Sequence, residues 1–172
     1  MSDLLLCRID PDLIYPPFME KVQAMLAELQ QNGTEFWAIS GFRTGGEQMA
    51  LWTQGRTRPG PIVTRAKAME SAHNFGIAVD LCRDGFIERK GLQPDWRPDS
   101  YAPLQAACKK YDLEWGGNWR FPDRPHVQLP GYVTGAELEQ LAAVWNAATP
   151  GFDVEKLHAV WQYLDEEKAN AD

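Results

Sequence analysis

Apolar side chains recur at helical spacing through Phe18, Val22, Met25, Leu26 and Leu29, which predicts an amphipathic helix over roughly 17–31, ended by Asn32-Gly33. Phe36 to Ile39 is a short aromatic and β-branched run and reads as a strand. Glu47 to Thr53 reads as a helix, with Gly45-Gly46 at its start and Gly55 beyond its end. From Gly55 to Ser71 the chain is rich in Gly, Pro, Thr, Arg and Lys and predicts a surface loop. Ile77 to Leu81 is apolar apart from Asp80 and predicts a buried strand. Residues 84–100 read as irregular, Tyr101 to Tyr111 as a helix and His126 to Leu129 as another strand.

Thr134 and Glu137 have the spacing of a capping box, opening a helix with Leu138, Leu141, Ala142 and Trp145 on one face. Pro150-Gly151 breaks it, and a last helix is predicted from about Val154 to Glu166, with Lys168 to Asp172 frayed. The class is α+β: a small antiparallel sheet with packed helices. The expected organisation is a catalytic domain over 1–132 and a C-terminal helical extension over 133–172 packed on it through Trp145 and Trp161.

Composition narrows the function classes. A length of 172 residues suits one domain with a real core. The net charge of −7 argues against a nucleic-acid binder, although Arg56, Arg58, Arg65 and Lys67 form a local basic patch. Cys7, Cys82 and Cys108 are odd in number and widely spaced, which fits a reducing compartment better than a disulfide framework. No secretory leader or membrane-spanning run is visible, so the expectation is synthesis in the cytoplasm without membrane insertion.

The chain has only three histidines, and two of them lie in stretches rich in candidate chemistry. One stretch is Ser71-Ala72-His73-Asn74-Phe75-Gly76-Ile77-Ala78-Val79-Asp80, and the other is Asp123-Arg124-Pro125-His126, with Trp115-Gly116-Gly117-Asn118-Trp119 between them. Gly76 and the β-branched residues after it predict a turn followed by a strand, which folds His73 back toward Asp80. A carboxylate in so apolar a run needs a partner, and backbone N–H groups or a metal would serve. Imidazole nitrogen and carboxylate oxygen are donors that zinc accepts, and three protein ligands leave a fourth position for water. Alternation puts His126 and Gln128 on one face of their strand. Asp123, three residues before His126, is placed to act as a general base, its alternative being a turn-forming residue. Glu114 is a rival base, and His158 reads as a surface or packing histidine.

Ser71-x-His73-x-x-Gly76-x-Ala78-x-Asp80 followed by Asp123-x-x-His126 resembles the zinc peptidase family of D,D-carboxypeptidases, D-Ala-D-Ala dipeptidases and L-alanyl-D-glutamate endopeptidases. Ile39-Ser40-Gly41-Phe42-Arg43-Thr44 with Gln48, Gln54-Gly55-Arg56-Thr57, and the Trp115–Trp119 stretch are similar to the same family, and the likeness spans about 35–130. The Asp-x-x-His form leans toward the L-alanyl-D-glutamate endopeptidases, which include phage endolysins. The resemblance implies His73, Asp80 and His126 as zinc ligands and Asp123 as general base. It implies Arg43 steadying the substrate carbonyl or a carboxylate, with Ser71 and Gln48 lining the cleft. The implied partner is the peptidoglycan stem peptide, cut between L-Ala and D-Glu by a monomer that a holin would release if it is a phage or prophage endolysin. Val127-Gln128 stands where an aromatic and an acid are frequent in relatives, so the surroundings of His126 differ. The alternatives are a D,D-carboxypeptidase or dipeptidase of the same family, and a zinc-stabilised binding domain without turnover, for which the similar hedgehog signalling domain is a precedent.

Overall fold

Pro16 and Pro17 open the first helix, α1 (Pro16–Gln31), at positions where a missing N–H costs nothing. Its buried face is Phe18, Met19, Val22, Met25, Leu26 and Leu29, and Gly33 beyond its end takes φ +74. The computed structural model describes residues 9–86, 90–133, 135–148, 151 and 153–171. Cys7, the capping residue Thr134 and the helix break at Pro150 lie outside the described residues.

The described residues form five antiparallel strands, of which β1 (Phe36–Ser40), β2 (Ala78–Asp84) and β5 (His126–Gln128) follow from the apolar runs, while β3 (Pro94–Asp95) and β4 (Glu114–Trp115) are two residues each. Their order is β1-β2-β5-β4, with β3 paired to β2. The sequence reading misses β3 and β4 because two residues carry no alternation. Asp84 makes β3 possible: its buried Oδ1 accepts the main-chain N–H groups of Phe86 and Gln93 at 3.0 and 3.2 Å and so closes the connection.

Residues 9–42 and 77–130 form one compact unit that holds the whole sheet together with α1 and α3 (Ala102–Lys110). Val79, Leu81 and Val127 are fully buried, and α1 packs on both α3 and β1. At about 25 cal/mol per Å² of apolar surface, each such side chain contributes roughly 1.5–3 kcal/mol. The register sets Asp80 directly opposite His126 on one side and opposite Ser40 on the other. It also sets Gln128 between Ala78 and Glu114. Since side chains alternate, Asp80, His126, Gln128 and Glu114 leave the same face of the sheet.

Residues 43–76 and those described from 131 onward form a second compact unit. It contains α2 (Gly45–Thr53), α4 (Gly135–Ala147), α5 (Asp153–Ala171) and a 3-10 turn over Ala72–Phe75. α2 starts before the expected Glu47 because Thr44 and Glu47 form a capping box: Thr44 Oγ1 accepts from Glu47 N–H at 3.2 Å and the Glu47 carboxylate accepts from Thr44 N–H at 2.8 Å. α5 does not fray at Lys168 as expected but runs to Ala171. Glu166, Glu167, Lys168 and Ala169 are good helix formers, and a lysine in the last turn complements the helix dipole. Leu138, Leu141, Leu157, Val160 and Leu164 bury the faces of α4 and α5. Among the described residues, no helix is long and apolar enough to cross a membrane.

Candidate metal centre

His73 lies in the buried 3-10 turn, which Gly76 ends in the left-handed region at φ +68. That conformation is open to glycine at little cost, and it ends the turn two residues before β2 begins at Ala78. Asn74, also fully buried, holds the turn: its Oδ1 accepts from Met69 N–H at 3.0 Å and its Nδ2 donates to the Arg43 carbonyl at 2.7 Å. Arg43 N–H donates in return to the His73 carbonyl at 3.0 Å. Sequence reasoning missed Asn74 as a structural residue; the signal is an amide inside an otherwise apolar buried segment, which must be hydrogen-bonded.

Two tryptophans brace the same turn. Trp161 Nε1 donates to the Phe75 carbonyl at 2.9 Å, and the Trp145 ring meets Phe75 edge-on at 6.4 Å between centroids. α5 therefore reaches the backbone of Phe75, two residues from His73, and α4 reaches its ring.

On the sheet face, His126 Nδ1 stands 3.4 Å from Asp80 Oδ1, and His126 Nε2 lies 2.8 Å from Gln128 Oε1. The Trp119 ring packs on the imidazole at 4.9 Å, its indole N–H fixed by Glu114 Oε1 at 2.7 Å. Glu114 is thereby engaged in positioning Trp119. Burial opposes a charged imidazole at His126, but hydrogen bonding and charge from Asp80, then Gln128 and Asp123, outweigh it and raise the group above its ordinary value. The local field favours positive charge at this point.

The glycine pair in Trp115-Gly116-Gly117-Asn118-Trp119 has a steric cause. A Cβ on Gly116 would stand 2.5 Å from the Asp123 carbonyl oxygen and 3.1 Å from His126 Cβ, and one on Gly117 would run into the Trp115 ring. Without those side chains, Asp123 N–H reaches the Gly116 carbonyl at 3.0 Å and His126 N–H reaches the Asp123 carbonyl at 3.2 Å. Trp115 Nε1 donates to the Arg124 carbonyl at 2.7 Å. This stretch seats the Asp123–His126 segment, and Asp123 itself is exposed.

Arg43 and Gln48 meet: Arg43 Nη1 donates to Gln48 Oε1 at 2.8 Å. Gln48 is fully buried, and its Nε2 donates to the Ala66 carbonyl at 2.8 Å and Thr64 Oγ1 at 3.3 Å. Its amide is thus committed to holding Arg43 and the loop. Ser71, partly exposed, caps the 3-10 turn with its carbonyl, which accepts from Asn74 N–H at 2.9 Å. His158 is exposed on α5 beside Trp161.

His73, Asp80 and His126 each offer one ligand-type atom, and these atoms lie within 4.8 Å of one another. The donor set fits zinc. Bonds of about 2.0–2.2 Å in a tetrahedral arrangement place neighbouring ligand atoms roughly 3.4 Å apart. The Nδ1–Oδ1 separation of 3.4 Å meets that spacing and is longer than a charge-assisted hydrogen bond of about 2.7–2.9 Å.

Asp80 and His126 stand on the antiparallel sheet and His73 in the 3-10 turn that precedes β2, a donor set of the kind metallopeptidases use. A family model described as D-alanyl-D-alanine carboxypeptidase matches residues 64–129. The peptidoglycan L-alanyl-D-glutamate endopeptidase of Bacillus subtilis (strain 168) is 36% identical over 130 residues, covering 69% of this chain and 75% of that protein. The crystal structure of the Serratia marcescens L-Ala D-Glu endopeptidase shares the fold with a TM-score of 0.51 at 22% identity, over 72% of this chain and 87% of that one. The chain belongs to the metallopeptidase family of D-alanyl-D-alanine carboxypeptidases and L-alanyl-D-glutamate endopeptidases.

Proposed function

We propose that this protein is a zinc-dependent peptidoglycan endopeptidase that cuts the stem peptide between L-Ala and D-Glu. The observation that carries the reading is the group His73, Asp80 and His126 in a chain 36% identical to an L-alanyl-D-glutamate endopeptidase.

Those three residues would hold the zinc, which when bound supplies Lewis acidity toward the scissile carbonyl and lowers the pKa of water. Asp123, an exposed carboxylate seated by Gly116, is the general base: it takes the proton from the attacking water and returns it to the leaving amine. Arg43 supports the negative charge that develops on the carbonyl oxygen, with its guanidinium set by Gln48. Ser71 contributes to substrate binding beside the His73 turn. Gln48 acts through Arg43, since its own amide is buried and engaged. The helices after residue 132 support the site by packing on that turn. The protein acts as a monomer, and a phage or prophage endolysin role is proposed on the family resemblance alone. Lysis of intact cell walls by added protein supports that role, and its absence counts against it.

The family description gives one specific reason for a second reading, a D,D-carboxypeptidase. Defined stem peptides separate the two. A new amino-terminal D-Glu supports the endopeptidase, whereas release of free D-Ala alone supports the alternative. Stoichiometric zinc with no hydrolysis of either peptide would instead mark a binding domain.

A further inference from the structure

Gln128 lies two positions beyond His126 on β5, and both side chains are buried on the same face, at 2% and 6% exposure. Its Oε1 stands 2.8 Å from His126 Nε2. A carboxamide oxygen only accepts, so this bond requires the ring proton to sit on Nε2. In the neutral ring, the form that binds a metal, the lone pair is then on Nδ1, the nitrogen that faces Asp80 Oδ1.

The other half of the amide makes the residue unusual. Gln128 Nε2 is buried and has no hydrogen-bond partner among the described residues. A buried donor left unsatisfied disfavours the fold, so a Leu or Met of similar size would pack better at this position. Core packing therefore gives no reason for glutamine at 128, whereas the contact with His126 does.

We propose that Gln128 is a positioning residue that locks His126 as the Nε2–H tautomer and so directs the Nδ1 lone pair to the point it shares with Asp80 and His73. The proposal rests on the reading of His126 as a zinc ligand. A ring nitrogen fixed by a hydrogen-bond acceptor presents the opposite nitrogen to the metal without a tautomeric cost. The acceptor here is a neutral amide and not a carboxylate, so it fixes the ring without adding a charge.

The test uses the full chain, with zinc affinity measured by competition against a chromophoric chelator. Long-range proton–nitrogen NMR of the zinc-loaded protein identifies the coordinating nitrogen. Wild type should coordinate through Nδ1 of His126 and retain a proton on Nε2. Q128L, and the unbranched Q128M beside it, should bind zinc about 10–100-fold more weakly while melting at or above the wild-type temperature in the metal-free form. Q128E, which keeps the acceptor, should retain the wild-type tautomer and zinc affinity. A residue that merely fills space would not separate affinity from stability in this way. Coordination through Nε2 of His126, or wild-type affinity in Q128L and Q128M when H126A has lost zinc binding, overturns the proposal alone. A wild-type protein that binds no zinc, or H126A that binds it as tightly as wild type, overturns the metal reading and this proposal with it.

Discussion

The indole N–H of Trp161 donates to the carbonyl oxygen of Phe75 at 2.9 Å. Phe75 is two residues from His73, so a side chain on α5 secures the backbone that presents a candidate ligand. W161F keeps an aromatic ring but loses the pyrrole part and its donor, leaving a buried carbonyl without that partner at a cost of about 1–3 kcal/mol on top of the lost packing. W161F should lower the denaturant midpoint and also weaken zinc binding, both measurable on the same preparation. Reduced stability with unchanged zinc affinity would show that the brace does not extend to His73.

Gly116 is predicted to tolerate no side chain. A Cβ there would stand 2.5 Å from a main-chain oxygen and 3.1 Å from His126 Cβ, and neither is the end of a flexible side chain. G116A should lose more than about 1–3 kcal/mol of stability or displace the Asp123–His126 segment, with activity falling in either case. Unchanged kcat and melting temperature would contradict the seating role assigned to this glycine.

Asp123 is predicted to matter for proton transfer and not for metal retention. D123N keeps the shape and removes the base, so kcat should fall by about 10²–10⁴-fold while bound zinc per chain stays at the wild-type value. Full activity in D123N removes Asp123 from the base role, and loss of zinc makes it a ligand.

Gln48 is predicted to act through Arg43. Q48L removes the acceptor of the 2.8 Å bond from Arg43 Nη1 and leaves the Ala66 carbonyl without its side-chain donor. Turnover should fall with zinc binding intact, and R43A should then cost little more in the Q48L background than alone. Additive losses in the double variant would mean that the two residues act independently.

Much of the site is legible in the residues themselves. Two of three histidines, an aspartate in an apolar strand and a spare Asp123 are chemically unusual wherever they fall, and residue type alone singles them out. The helices and central strands follow from periodicity for the same reason: burial imposes a regular pattern. The supporting residues are different. Asn74 and Trp161 owe their roles to partners far away in sequence (Arg43 and Phe75), and no local pattern encodes those pairings. β3 and β4 were invisible because two residues cannot show alternation, and the extent of α5 was underestimated because helix formers near a terminus resemble a fraying tail. Gln128 sits between the two cases: alternation places it beside His126, but its orphaned amide nitrogen is visible only in the packed structure.

The most direct measurement is digestion of purified peptidoglycan with and without a metal chelator, followed by zinc add-back and mass spectrometry of the new amino termini. New D-Glu termini that vanish with chelator and return with zinc are the predicted result. D-Glu termini that persist unchanged in chelator, from protein shown to be free of metal, would contradict the zinc assignment to His73, Asp80 and His126. Free D-Ala with no new D-Glu would contradict the scissile bond.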